Sequence, residues 1–334
     1  SMQRLEQIPG ELHSVSFVAD WIASTLAEQS PVTDRSHAAS SGLFSMHDDD
    51  WSAALLDVAR VNRKWLPPVR DSGSVVGKLS EAMAAETGIT AGTLVCNAIG
   101  DNQAAVISSL PSDEDALLIN IGTGGQIVWR QETFSRVANM DTRYLPPDSP
   151  GEAGAFMLVG AGLCGGDAIA WINRTVRQWL SEFGLAVSEA DVWKHLHVRT
   201  ADTSSETEPL TCEPFFGGTR PNPQQRGSFA GVGSNNFTPA NIAVSILQGI
   251  AESMHAMYSN AKRNRPQPLR TISMSGNGAR QNPLLVNAVA KRFGVPVTVS
   301  PCHEEAATGA ALLAGVNVGV WPNIDSARRQ ACSP

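Results

Sequence analysis

Gly100-Asp101-Asn102 follows the apolar run Leu94–Ile99. A carboxylate carried into a crevice at a strand end can take the proton of a substrate hydroxyl, which makes Asp101 a candidate general base. The same tripeptide also makes an ordinary turn. Gly122-Thr123-Gly124-Gly125 separates two further apolar runs. Such a hairpin can point successive backbone N–H groups and a threonine hydroxyl at phosphate oxygens without any lysine, or it can simply join two strands. Gly276-Asn277-Gly278-Ala279-Arg280-Gln281-Asn282 lies between an apolar run and a helical pattern. Its glycines let backbone come close to a flat ligand and its amides suit a purine edge; a plain helix-entry loop is the alternative.

Two other glycine motifs point to nucleotides and fail on context. Gly73-Ser74-Val75-Val76-Gly77-Lys78-Leu79 is one residue short of a Walker A loop, and Leu79 stands where the metal-binding Ser or Thr belongs. Gly160-Ala161-Gly162-Leu163-Cys164-Gly165 fits the dinucleotide fingerprint, with Glu182 about twenty residues on. That acid should end a second parallel strand, yet Asp167 to Phe183 reads as one helix, which disfavours an NAD-binding Rossmann dehydrogenase. His195-x-His197 and His303-Glu304-Glu305 are sparse for a metal site, so no metal ligands are assigned. Trp171 and Trp179 read as core or interface rather than as a stacking platform.

The elements that must position these residues follow from periodicity. Apolar spacing at Val15, Val18, Ile22 and Leu26 predicts a helix over 14–28. Helices are expected at 51–61 and 81–87, and strands at 94–99, 117–121 and 126–129. A strand at 156–159 should lead through the Gly160–Gly165 turn into a helix over 167–182. Thr238-Pro239 opens a long helix whose buried face is Ile242, Ile246, Ile250, Met254 and Met257. Strand 271–274, a helix to Phe293, strand 295–299 and an alanine-rich helix from Glu304 close a mixed α/β chain.

Composition narrows the classes. The chain has 334 residues, 25 Lys and Arg against 32 Asp and Glu, and a net charge of −7 with no basic stripe, which argues against a nucleic-acid partner. Five scattered cysteines suit reduced thiols rather than disulfides. The longest uncharged apolar stretch, Gly154 to Gly166, falls short of the roughly 20 residues of a membrane span. A cytoplasmic protein with no membrane partner is the expectation.

The order of the motifs resembles the FGGY carbohydrate kinases. Asp34-Arg35-Ser36-His37-Ala38-Ala39-Ser40-Ser41-Gly42-Leu43-Phe44 ahead of Trp51, Gly73–Gly77, Gly100–Ala105 and Gly122-Thr123-Gly124 carry the likeness through the first half. Pro214–Pro221, Gly227–Gly231, Gly249–Glu252, Gly276–Arg280 and Glu305–Ala311 carry it through the second. The resemblance implies an α/β, ribonuclease H-like (actin-like ATPase) fold that moves the γ-phosphate of ATP, with Mg²⁺, to a sugar hydroxyl. Asp101 falls on the family's catalytic base and Asn102 on a substrate-facing position. Gly122, Thr123 and Gly124 fall on a phosphate loop, Gly166 near the nucleotide, and Gly276, Asn277, Gly278 and Gln281 on the adenosine pocket. Ala38-Ala39-Ser40, Asn120-Ile121 and Gly165-Gly166 are most similar to the sedoheptulokinases, which suggests a ketose substrate.

The Asp-x-Gly-Thr phosphate loop that opens the family is not seen. Residues 1–111 are therefore expected to be the later part of the sugar-binding lobe and 112–334 a complete nucleotide-binding lobe, with the abrupt start at Gln3 marking a missing beginning. Residues Ser14 to Leu110 would then pack against an absent segment or a second copy in a homodimer. A chain that binds nucleotide without turnover is the other reading.

Overall fold

The computed structural model of the chain describes residues 12–111, 115–201, 210–220, 222–261 and 268–332, with backbone alone at 197–201. Gln3, the Ser112–Glu114 part of the expected boundary, Pro221 and the His197 side chain lie outside the described residues. The chain divides into two compact units. The first takes residues 1–112, 143–157 and 304–334, and the second takes 113–142 and 158–303.

Polar caps set the short helices of the first unit. Helix α1 (Val18–Ala27) stops where Glu28 turns left-handed at φ 50° and returns its N–H to the Ser24 and Thr25 carbonyls. Strand β1 (Thr33–Asp34) runs into α2 (Arg35–Ser40), which Asp34 caps by accepting from the N–H groups of Ser36 and His37. Strands β2 (Phe44–Ser45) and β3 (Asp50–Trp51) pair antiparallel, and Ser52 caps α3 (Ala53–Ala59). Strand β4 (Val69–Arg70) lies parallel to β1. Strand β5 (Val75–Lys78), α4 (Glu81–Thr87) and β6 (Leu94–Cys96) form a strand–helix–strand in which Ser80 starts the helix and Gly88, at φ 72°, ends it. Ala38, Phe44, Trp51 and Leu56 make a small core here.

One helix of this unit departs from the usual pattern, and one expectation needs correction. The apolar side of α1 faces outward: Val18 is 74% and Ile22 47% exposed, while Asp20, Ala23, Ser24 and Ala27 are buried. Small residues let the helix sit close to its neighbours, and close approach won over side-chain size. Strand β6 ends at Cys96, and Asp101 is the first residue of α5 (Asp101–Ser109), so the carboxylate stands at a helix start and not at a strand end.

The second unit is built on one strand. In β7 (Ala116–Ile121) every residue but Asn120 is buried, the mark of a central strand covered on both faces. Strand β8 (Gly124–Gln131) returns antiparallel to it. Strands β9 (Asp141–Leu145) and β10 (Ala155–Cys164) follow, and the division between the units falls within both of them. Gly160 to Cys164 belong to strand β10, with Gly162 at φ 75° inside it, so the expected glycine-rich turn between strand and helix, and with it the dinucleotide loop, is not formed there. Next come α6 (Gly166–Glu182) and α7 (Glu189–Ala201), the second of which the sequence reading did not anticipate. Strands β11 (Thr211–Glu213) and β12 (Ser228–Ala230) form an antiparallel pair.

Helix α8 (Pro239–Ala261) buries Ile242, Ile246, Ile250 and Met254 as its spacing requires, each side chain worth about 1.5–3 kcal/mol of burial. Strand β13 (Thr271–Ser275), α9 (Asn277–Arg280), α10 (Pro283–Phe293) and β14 (Val297–Val299) complete the unit. The sheet order is β14-β13-β7-β8-β10-β9, with β14, β13 and β7 parallel. Trp171 stacks on Phe216 with ring centroids 4.2 Å apart, a packing role, whereas Trp179 is exposed.

The chain then returns to the first unit with α11 (Glu305–Asn317) and α12 (Ile324–Ala331). Helix α11 lies backbone to backbone on α5: a Cβ placed on Gly309 would stand 1.7 Å from the Ala104 carbonyl oxygen. Arg328 of α12 donates to the Ile107 carbonyl of α5 at 3.0 Å. Among the described residues no helix is long and apolar enough to cross a membrane.

Candidate active site

Most of the predicted nucleotide residues meet at one place, the C-terminal end of β7. Ile121 ends that strand and Gly122-Thr123 turns the chain into β8, with the Gly122 N–H donating to the Gly124 carbonyl at 3.0 Å. The start of α6 is bonded to this turn. Gly166 N–H donates to the Gly122 carbonyl and Asp167 N–H to the Thr123 carbonyl, both at 2.9 Å. Two of the orphan donors of the helix are thereby satisfied by the hairpin. Gly165 cannot carry a side chain, since a Cβ there would lie 2.4 Å from the Gly124 carbonyl carbon.

The other side of β7 is closed by β13. Asn120 Nδ2 donates to Ser275 Oγ at 2.8 Å, in register with the Asn120–Ser275 pairing of the strands. Gly276 adopts φ 85° and comes so near Ile121 that a Cβ would stand 2.4 Å from its carbonyl oxygen. Gly278 packs on the Ile121 side chain, and Gln281 N–H donates to the Asn277 carbonyl at 2.9 Å. Gly122, Thr123, Gly124, Asn277 and Gln281 remain exposed around this strand end. At Gly122 an added Cβ would meet nothing within 4 Å, so the tip is open to a ligand. Asp167, which sequence reasoning passed over, is exposed beside it; an acid directly after Gly165-Gly166 was the available signal.

Asp101 and Asn102 belong to the first unit. Asp101 is exposed, and its Oδ1 accepts from the Asn102 N–H at 2.7 Å. No side chain caps α5. Instead the N–H of Gly100 donates to Ser36 Oγ at 2.8 Å, and that hydroxyl donates to Asp34 Oδ2 at 2.6 Å. Asp34 is fully buried. Burial alone would raise its pKa, but hydrogen bonds from His37, Ser36 and Ser72 outweigh burial and hold it below the usual carboxylate range. His37 Nδ1 stands 3.0 Å from Asp34 and 3.4 Å from the buried Asp20. Burial acts to lower the imidazole pKa, yet the close carboxylates of Asp20 and Asp34 and their charges carry it up to about 9. None of this network was singled out for chemistry from sequence, although Thr-Asp-Arg-Ser at a helix start was a readable cap.

Among the described residues no group of three His, Cys, Asp or Glu side chains is arranged to hold a metal ion. Magnesium usually binds through one or two carboxylates and the substrate's own phosphates. The exposed carboxylate of Asp167 at the start of α6 suits that mode, in which a divalent ion would arrive with a nucleotide as substrate rather than as resident cofactor.

A glycine hairpin, a helix start and a strand–glycine turn are thus gathered on the end of one central strand. Residues 117–318 match the FGGY family of carbohydrate kinases, C-terminal domain, and residues 2–108 match its N-terminal domain. The chain belongs to the FGGY family of carbohydrate kinases. It is similar to the sedoheptulokinase of Mus musculus, 28% identical over 293 residues that cover 85% of this chain and 58% of that protein. It is also similar to the glycerol kinase of Deinococcus radiodurans, 25% identical over 334 residues that cover 98% of this chain and 64% of that one. The solved xylulose kinase from Rhodospirillum rubrum superposes with a TM-score of 0.83 at 20% identity, over 98% of this chain and 63% of that one. Plasmodium falciparum glycerol kinase with ADP gives 0.80 at 19% identity, over 95% and 60%. The fold is therefore the actin-like, ribonuclease H-like ATPase fold, and the chain spans 58% of that sedoheptulokinase and 64% of that Deinococcus glycerol kinase.

Proposed function

We propose that the chain acts in ATP-dependent phosphorylation of a sugar hydroxyl, with a ketose such as sedoheptulose as acceptor and Asp101 as general base. The observation that carries the reading is the gathering of Gly122, Thr123, Gly124, Gly166, Gly276, Asn277, Gly278 and Gln281 about the end of β7 in a chain of this family. The exposed Thr123 tip would meet the phosphates of Mg·ATP, and the Gly276–Gln281 turn would take the adenosine. Asp101 would accept the proton of the sugar hydroxyl as its oxygen bonds to the γ-phosphorus and the bond to ADP breaks. Phosphoryl transfer of this kind rests on positioning and charge neutralisation, with little covalent work for the protein.

One observation favours a second reading. All eight nucleotide-site residues lie within the second unit, whereas Asp101 belongs to the first. On this reading nucleotide binding would need only the second unit, and a binding module without turnover is the alternative. ADP release measured against a panel of ketoses and polyols tests both. Sugar-dependent turnover that falls at least 100-fold in Asp101→Asn supports the kinase; ATP binding with no turnover on any acceptor supports the module. Turnover unaffected by Asp101→Asn removes the base assignment.

A further inference from the structure

We propose that Asp34 is a positioning residue for the start of α5, acting through Ser36 to fix the point from which Asp101 projects; this rests on the reading of Asp101 as the base. Capping α2 would need only one acceptor oxygen, and Asp34 Oδ1 serves it by accepting the His37 N–H at 2.9 Å. The second oxygen does more. Oδ2 accepts the Ser36 N–H at 3.1 Å and also gathers two hydroxyls, Ser36 Oγ at 2.6 Å and Ser72 Oγ at 2.5 Å. Ser36 gives its one proton to Asp34, so its oxygen is left as a pure acceptor, and it accepts the N–H of Gly100, 64 residues away, at 2.8 Å. Each donor in such a chain polarises the next, and the charge of Asp34 strengthens the bond that Ser36 offers Gly100.

The other end of the connecting segment is held as well. Asn97 Nδ2 donates to the Thr33 carbonyl at 3.2 Å and the Asp71 carbonyl at 3.3 Å, and the Asn97 carbonyl accepts from Gly73 N–H at 3.0 Å. Residues 97–100 are thus tied at both ends to the β1–α2 junction and the segment after β4. A helix start with no side-chain cap of its own would otherwise fray. Asp34 and Ser36 are buried and Asp101 is exposed, so the pair acts through Gly100 and not on substrate.

The test uses the whole chain and two readouts. Ser36→Ala removes the acceptor, Asp34→Asn removes the charge and keeps the shape, and Ser72→Ala removes a buried hydroxyl from the same carboxylate without touching Gly100. Backbone amide exchange followed by NMR is expected to quicken at least tenfold at Gly100 and Asp101 in Ser36→Ala, with β7 and α8 unchanged and Ser72→Ala within twofold of the parent. In Asp34→Asn the Gly100 amide proton is expected to move upfield, the signature of a weaker acceptor that a merely structural role would not produce. In the phosphorylation assay Ser36→Ala should lower kcat at least tenfold and leave KM for ATP unchanged. Unchanged Gly100 exchange in Ser36→Ala overturns the proposal, as does exchange raised evenly across the first unit, an equal effect of Ser72→Ala, or an unchanged kcat. Failure of the base reading looks different: Asp101→Asn would then keep parental turnover while the Gly100 signals behave as expected.

Discussion

His37 lies against two buried carboxylates, and its stacking on Phe17 at 5.1 Å leaves it little room to leave. Its pKa rises from 6.5 in the unfolded chain to about 9 in the fold. The sign of the consequence follows: the stabilising contribution is fully present below about pH 6.5 and is lost as pH rises through about 9, because the unfolded chain releases that proton first. A shift of this size corresponds to about 3 kcal/mol. Chemical unfolding of the parent between pH 6 and 10 should show that loss, and His37→Gln should be less stable at pH 6.5 and flatter across the range. A parent whose stability does not fall between pH 7 and 9.5 more than the variant's would count against the ion pair. The glycine motifs were legible in sequence because each marks a backbone that must come close to another. The Asp20–His37–Asp34 cluster was not, since its members are brought together by tertiary packing and carry no spacing signature.

Elements were read well where one face decides. Helix α4 lies where expected, and α8 buries the face its spacing names. Helix α1 inverts the rule: its large residues point outward because Asp20, Ala23, Ser24 and Ala27 make the contact. The strand expected to stop at residue 159 runs on, because glycine, though ordinarily turn punctuation, also serves close packing in a strand: a Cβ on Gly160 would meet Met257 at 2.8 Å. The contact of α11 with α5 is of the same close kind and yields a prediction at this scale. Gly309→Ala places a methyl against the Ala104 carbonyl, which forces the helices apart and should destabilise the first unit by about 3 kcal/mol or more. Denaturant unfolding followed at Trp51 reads that loss, and nucleotide binding by the second unit should be unchanged. Equal weakening of both would show that the two units do not unfold separately.

At the scale of the whole chain, the path between the units matters more than any single contact. The second unit is complete by residue 303, while the first still needs α11 and α12. A chain ending at His303 should therefore keep ATP affinity within about threefold, while the amides of α5 lose their exchange protection. Calorimetric titration with an ATP analogue and amide exchange of the same sample measure the two. Loss of both would mean that the nucleotide site depends on the first unit. Saturating nucleotide at 100 times Kd should stabilise the second unit by about 2.7 kcal/mol in either chain.

The seating of α5 on α11 also orders events in time. Residues 101–109 leave the ribosome some two hundred residues ahead of the helix they lie against, which is made after every strand of the second unit. The proposed base is thus synthesised before the proposed nucleotide residues and becomes rigid after them. A nascent chain would acquire its hold on nucleotide while the group that acts on the acceptor was still unseated, so binding precedes chemistry in biosynthesis as it does in a catalytic cycle.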